Sequence, residues 1–179
     1  IHGYTALTRS SKDAPLLKHL DNCIETDIKE ICRDNHVVGN RARGDEIILI
    51  GTSAYDMVNT VLTISDYFGE KKLECNVAFI RRRRTDRQKL PLLSISAGIA
   101  GGKKYDSLLI TAGGDLSGPV VNLAARLQSQ ANRMSSDCSQ LLVTETVRIK
   151  YETESGKQFA PAFSQSELAF LDVGPFAFK

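Results

Sequence analysis

The sequence predicts a mixed helix-and-strand domain, an α+β or α/β sandwich in which one sheet is covered by helices. Three observations carry that expectation. Apolar residues at spacings of three and four recur in separate stretches, β-branched apolar runs bounded by glycine lie between them, and no linker or internal repeat divides the chain. A chain of 179 residues can bury roughly 70% of its unfolded surface in one core, so residues 1–179 read as a single domain. Neither Ile1 nor Lys179 looks like a natural boundary, because both fall inside what read as structured motifs.

Taken in order, Ser10, Ser11 and Asp13 offer capping oxygens ahead of Leu16, Leu17, Leu20, Ile24, Ile28, Ile31 and Cys32. Their period puts one apolar stripe on a helix ending near Asn35. Val37 to Ile50 then reads as a strand, a glycine-bearing turn and a second strand, a hairpin that presents Asp45. Ser53 caps a second helix through Met57, Val58, Val61, Leu62, Ile64 and Tyr67, stopped by Gly69. Leu92 to Ile99 reads as a buried strand running into Gly98, Gly101 and Gly102, with Leu108 to Thr111 as its hairpin partner. Val120, Val121, Leu123, Ala124 and Leu127 mark a third helix, Leu141 to Thr144 a short strand, and Leu168 to Phe178 strand material interrupted at Gly174-Pro175.

Composition narrows the function. Lys and Arg number 23 against 21 Asp and Glu, a formal charge of +2, whereas a dedicated nucleic-acid binder is usually plainly basic. Hydrophobic residues at 42% and charged residues at 25% exclude disordered and collagen-like classes. No apolar run approaches the ~20 residues that a bilayer requires, and no leader pattern of charged then apolar residues is present. Cys23, Cys32, Cys75 and Cys138 form no C-x-x-C pair, so a reduced, cytoplasmic setting and buried packing roles are expected.

Several common catalytic signatures are missing. Gly98 to Lys104 is not a P-loop, and no nucleophile elbow or zinc-binding H-E-x-x-H appears. His2, His19 and His36 do not cluster. The run Arg81-Arg82-Arg83-Arg84, with Arg87 and Lys89, has no interleaved aromatic residue and reads as a solvated loop. More informative are three segments together: Ile1-His2-Gly3-Tyr4-Thr5, the hairpin Gly44-Asp45, and Gly118-Pro119-Val120-Val121-Asn122-Leu123-Ala124-Ala125-Arg126. In the last, Asn122 and Arg126 fall four apart, hence on one helix face.

In that order the segments resemble the catalytic domain of class III nucleotidyl cyclases, whose motifs are Asp-Ile-x-Gly-Phe-Thr, a Gly-Asp hairpin and Gly-Asp-x-Val-Asn-x-Ala-x-Arg. Ile95 to Gly101, Leu141 to Thr144 and Phe178-Lys179 extend the similarity to nearly the whole chain. The resemblance implies a ferredoxin-like βαββαβ core working as a head-to-tail homodimer. It implies conversion of a nucleoside triphosphate to a 3',5'-cyclic nucleotide and pyrophosphate for second-messenger signalling, with two divalent cations, Mg²⁺ or Mn²⁺. Asp45 and the Ile1 carbonyl would be metal ligands, with a second Asp expected just before Ile1. Backbone groups of His2, Gly3, Tyr4 and Thr5 would cradle the triphosphate, Asn122 would orient the ribose, Arg126 would meet charge at the α-phosphate, and Lys179 would meet the terminal phosphates. In this family the metal ligands come from one subunit and the Asn and Arg from the other.

The base-reading positions depart from the common patterns. Counting back from Asp45 gives Arg41, where adenylate cyclases usually carry Lys and guanylate cyclases Glu; counting back from Asn122 gives Pro119. Proline has no side-chain donor or acceptor, whereas arginine donates to carbonyl oxygens. Arg41 resembles the bacterial pyrimidine cyclases of anti-phage defence, so the expected substrate is UTP ahead of CTP. An adenylate cyclase and a catalytically silent dimerisation or regulatory module are the alternatives, and an insertion near Gly118 would bring Asp115 into play.

Overall fold

The first apolar stripe folds into two helices, α1 (Ala14–Glu25) and α2 (Asp27–Asp34), where the periodicity predicts one. This computed structural model describes residues 1, 4, 14–41, 44–69, 94–102, 108–110, 116–134 and 138–159. Thr26 makes the break, with φ −110° and ψ −68°. Its hydroxyl, with a single proton to donate, lies 2.7 Å from the Asn22 carbonyl oxygen and 2.8 Å from Asp27 Oδ1, the two competing for it. A hydroxyl that bonds back into the preceding turn bends a helix. The stripe nevertheless continues across the break, since Leu20, Cys23, Ile24, Ile28 and Cys32 are all buried.

Helix α2 ends in a Schellman motif. The Val37 amide donates to the Cys32 carbonyl at 2.8 Å and the His36 amide to Arg33 at 3.1 Å, with His36 at φ 56°. This turn directs the chain into β1 (Val38–Arg41), which pairs antiparallel with β2 (Ile47–Ile50), Val38 opposite Ile50 and Arg41 opposite Ile47. Side chains alternate across a strand, so Ile47 and Leu49 share the face that packs on the core.

Helix α3 (Ala54–Gly69) begins where expected, with Ser53 Oγ accepting from the Asp56 amide at 3.0 Å. Its fully buried Thr60 is satisfied within the helix by the Asp56 carbonyl at 2.7 Å. Tyr67 donates to Asp27 Oδ2 at 2.6 Å, tying α3 to α2. Burial, reinforced by that bond, raises the Tyr67 phenol above its ordinary value, and burial also raises the Cys23 thiol beside it. Both groups stay protonated and serve packing, as expected for Cys23; Cys32 is likewise buried with its thiol raised, while Cys138 is half-buried.

The remaining elements are β3 (Ser96–Ile99), β4 (Leu109–Ile110), β5 (Leu116–Ser117), α4 (Pro119–Met134), β6 (Gln140–Val143) and α5 (Glu145–Ser155). Two expectations need correction. The segment Leu108 to Thr111 does not partner the strand before it: β4 pairs antiparallel with β5, and β3 pairs parallel with β6, Ser96 opposite Gln140. Parallel neighbours need a crossover, and α4 supplies it. Among the described residues the strands form three two-stranded sheets rather than one continuous sheet.

Helix α5 is absent from the sequence reading because Val147, Ile149 and Tyr151 alternate as in a strand. Local polar chemistry holds it as a helix instead. Thr144 caps it by accepting from the Val147 amide, and Arg148 bridges Glu145 and Glu152, one turn away on either side. Of the three alternating residues, Ile149 is exposed.

Helix α5 also completes the start of α3. Glu154 Oε2 accepts from Ser53 Oγ and from the Tyr55 amide, each at 2.9 Å, while Tyr55 stacks on Tyr151 with ring centroids 5.8 Å apart. The Tyr55 amide, above all, holds the Glu154 carboxyl below the ordinary glutamate range. A depressed carboxyl contributes stability that is present above its unfolded value and lost as pH falls through the folded one. Glu154→Gln is therefore expected to lower the urea midpoint at pH 7, with the gap from wild type narrowing progressively as the pH falls below the ordinary glutamate value. A gap independent of pH would mean that the charge on Glu154 does not matter.

Candidate functional site

Asp45 stands in the β1–β2 turn directly after Gly44, whose φ of 55° lies in the left-handed region that glycine enters without a Cβ penalty. Its side chain is 31% exposed, and Oδ2 accepts at 2.7 Å from the terminal ammonium of Ile1, a group that a residue preceding Ile1 would turn into a peptide amide, while the Ile1 side chain is only 4% exposed. Ile1 and Ile47, two residues past Asp45, both pack against the same core cluster, so the first segment and the hairpin share one side of the core. Tyr4 is buried with Leu20, Ile24 and Ile28, and its hydroxyl donates to Asp21 Oδ1 of α1 at 3.0 Å. The Tyr4 side chain therefore faces the core, and a ligand at this segment would meet backbone rather than the phenol.

The third segment opens α4. Gly118 takes φ 139°, Pro119 occupies the first helical position, where its fixed φ fits and its missing amide costs nothing, and the Asn122 amide closes the first turn on the Gly118 carbonyl at 3.0 Å. Asn122 and Arg126 are both exposed, whereas Leu127 and Ala131 are buried with Leu142 of β6. Helix α4 packs on β3 and β6. The expected catalytic pair therefore shares a solvent-facing surface, as the spacing predicts, on a different sheet from the Asp45 hairpin.

His2, Gly3, Thr5, Asp115, Lys179 and the side chain of Arg41 lie outside the described residues, as do Ser10, Ser11, Asp13, Cys75, the Arg81 to Arg84 run and Leu168 to Phe178. Among the described residues no group of three or more His, Cys, Asp or Glu is placed to hold a metal. Magnesium, however, commonly binds through one or two carboxylates together with substrate phosphates and water. A half-exposed Asp45 fits that donor set; it does not fit a closed zinc-type cage. Among the described residues no helix is long and apolar enough to cross a membrane.

Sequence reasoning missed Asp21. A signal for it exists: Tyr4 stands where the resembling motif has phenylalanine, and a buried tyrosine hydroxyl usually finds a partner. The chain matches no family model, no curated protein and no solved structure.

Proposed function

We propose that the chain is the catalytic domain of a class III nucleotidyl cyclase acting as a homodimer. The observation that carries the reading is the order of the three segments, with Asp45 at a hairpin turn and Asn122 and Arg126 one turn apart on the exposed face of α4. The resemblance supplies the remaining roles. Asp45 and the Ile1 carbonyl would hold divalent cations with a carboxylate preceding Ile1. Bound there, such ions neutralise phosphate charge and stabilise the attacking and leaving oxygens.

The chain's own residues do the positioning. Backbone groups from His2 to Thr5 would hold the triphosphate, and Lys179 its terminal end. Asn122 would orient the ribose so that the 3'-oxygen lies in line with the α-phosphorus. That oxygen loses its proton and forms the new P–O bond while the bond to pyrophosphate breaks. Arg126, permanently charged and planar, would stabilise the negative charge that gathers on the α-phosphate oxygens. Exposure of Asn122 and Arg126 on a helix that packs on β3 and β6 rather than on the sheet bearing Asp45 suits a site completed by a second copy.

For the base, Arg41 donates and Pro119 offers nothing, which favours a pyrimidine displaying carbonyl acceptors, UTP before CTP. Such a product suits second-messenger signalling, including phage defence, in the cytoplasm. The test incubates the intact gene product with each of the four nucleoside triphosphates and Mn²⁺ and identifies products by mass spectrometry. Cyclic UMP or cyclic CMP is expected; equal turnover of ATP or GTP overturns the pyrimidine assignment, and no cyclic nucleotide from any base overturns the enzyme.

A further inference from the structure

Burial does not demand the break at Thr26. Leu20, Ile24, Ile28 and Cys32 follow one another at spacings of four, and none is more than 2% exposed, so a continuous helix would line up the same stripe. The backbone ladder also runs through the break: the Thr26 amide donates to the Asn22 carbonyl at 2.9 Å, and the Glu30 amide to the Thr26 carbonyl at 3.0 Å. What departs from the helix is Thr26 itself, at φ −110° and ψ −68°, and its side chain does not cap α2. A bent and a straight arrangement therefore bury the same apolar residues and differ in local polar contacts.

Those contacts gather on one carboxylate and one phenol. Asp27 Oδ1 lies 2.8 Å from the Thr26 hydroxyl, and Asp27 Oδ2 accepts from the Tyr67 hydroxyl of α3 at 2.6 Å. The same phenol lies beside the Cys23 thiol of α1, and its buried ring stands edge-on to Phe68. Tyr67 thus straddles the break, with Cys23 before it and Asp27 after. Helix α2 is also packed on α3 and β1, whereas the element that α1 packs on most closely is α2.

We propose that Thr26 is a hinge between α1 and α2, and that Tyr67 and Asp27 form the clasp that holds it bent. Residues at element ends that absorb a change in φ and ψ serve as hinges, and a hydroxyl drawn back to the preceding turn bends a helix. The consequence for activity rests on the cyclase reading; the hinge itself does not. Tyr4, whose hydroxyl donates to Asp21, stands on the α1 side, and the Asp45 turn follows α2 through β1. The bend therefore sets how two segments that would serve one nucleotide stand relative to each other.

Four forms of the intact protein test this: wild type, Tyr67→Phe, Thr26→Ala, and the two changes together. Residual dipolar couplings of backbone amides give the angle between α1 and α2, relaxation dispersion reports exchange between arrangements, and Tm with α4 amide protection controls for general unfolding. Tyr67→Phe keeps the ring and opens the clasp, so α1 amides are expected to exchange on the μs–ms scale while α2 and α4 amides do not. Thr26→Ala removes the bending hydroxyl and supplies a better helix former, so the α1–α2 bend should decrease, furthest in the double variant. With UTP and Mn²⁺, KM should rise as the bent fraction falls, a bent fraction of about a half doubling it, while kcat at saturating UTP is retained.

An α1–α2 angle that is the same in all four forms, or exchange that spreads equally over α1, α2 and α4 with a fall in Tm, overturns the hinge. A changed angle with KM unmoved overturns its link to the site. If wild type forms no cyclic nucleotide, the cyclase reading fails, and the dipolar couplings alone decide whether Thr26 is a hinge.

Discussion

Gly98→Ala is expected to destabilise the protein by roughly 3 kcal/mol, the upper range for overpacking, because an added Cβ there meets its neighbours more closely than one at Gly39, Gly51 or Gly101. A Cβ at Gly98 would lie 2.3 Å from the Ala124 carbonyl oxygen, 2.4 Å from the Gln128 nitrogen and 2.7 Å from Leu127 Cβ. Two of these atoms belong to the α4 backbone, so no side-chain rotation relieves them; the helix must lift off β3. Lifting it opens the contact that buries Leu127, Ala131 and Leu142. It also moves the helix that carries Asn122 and Arg126, so activity should fall with stability. The contrast is Gly101→Ala, whose added Cβ would meet Val147 Cγ2 at 3.1 Å, a side-chain methyl rather than helix backbone, and whose cost should be the smaller of the two. Urea denaturation of the two variants beside wild type measures both. Equal midpoints for Gly98→Ala and wild type would mean that α4 is not seated on β3 as described.

Why some of this architecture was legible in the sequence and some was not follows from which forces set each element. Where burial is one-sided and local, the pattern is readable. The Ser53 cap and the stripe to Tyr67 place α3, Gly44-Asp45 between apolar runs places the hairpin, and Pro119 with Leu127 places α4. Where a partner distant in sequence decides, the pattern is silent. Nothing local to Leu108-Leu109-Ile110 says that β3 will pair with β6 across α4 instead, and Val147, Ile149 and Tyr151 spell a strand until Thr144 and Arg148 are seen to hold a helix. Gly98 stands in a glycine-bearing segment that invites a loop or phosphate-binding interpretation; its role is close approach between strand and helix. The candidate site divides the same way. Asp45, Asn122 and Arg126 are singled out by motif order alone, while the contact of Asp21 with the Tyr4 hydroxyl is visible only in the fold.

The proposed two-copy site makes the second large prediction, and it concerns two inactive proteins that recover activity together. Asp45→Ala should slow cyclic nucleotide formation at least about a hundredfold, since even residues that merely support a metal ligand cost up to that much. Arg126→Ala should be comparably impaired through loss of charge stabilisation at the α-phosphate. Asp45 lies in the hairpin turn and Arg126 on the exposed face of α4, the helix that packs on β3 and β6. If each site takes its metal ligands from one copy and its Arg from the other, a mixed dimer of the two variants holds one site with both defects and one with neither. Random exchange of equal amounts places about half the chains in mixed dimers, so activity should recover to about a quarter of wild type in a two-fold dimer. The rate should peak at equimolar mixing and fall away on either side, which distinguishes restored sites from leakage in either variant. A site built within one chain predicts the opposite, because every mixed dimer would then carry one defect in each site and no ratio would recover activity.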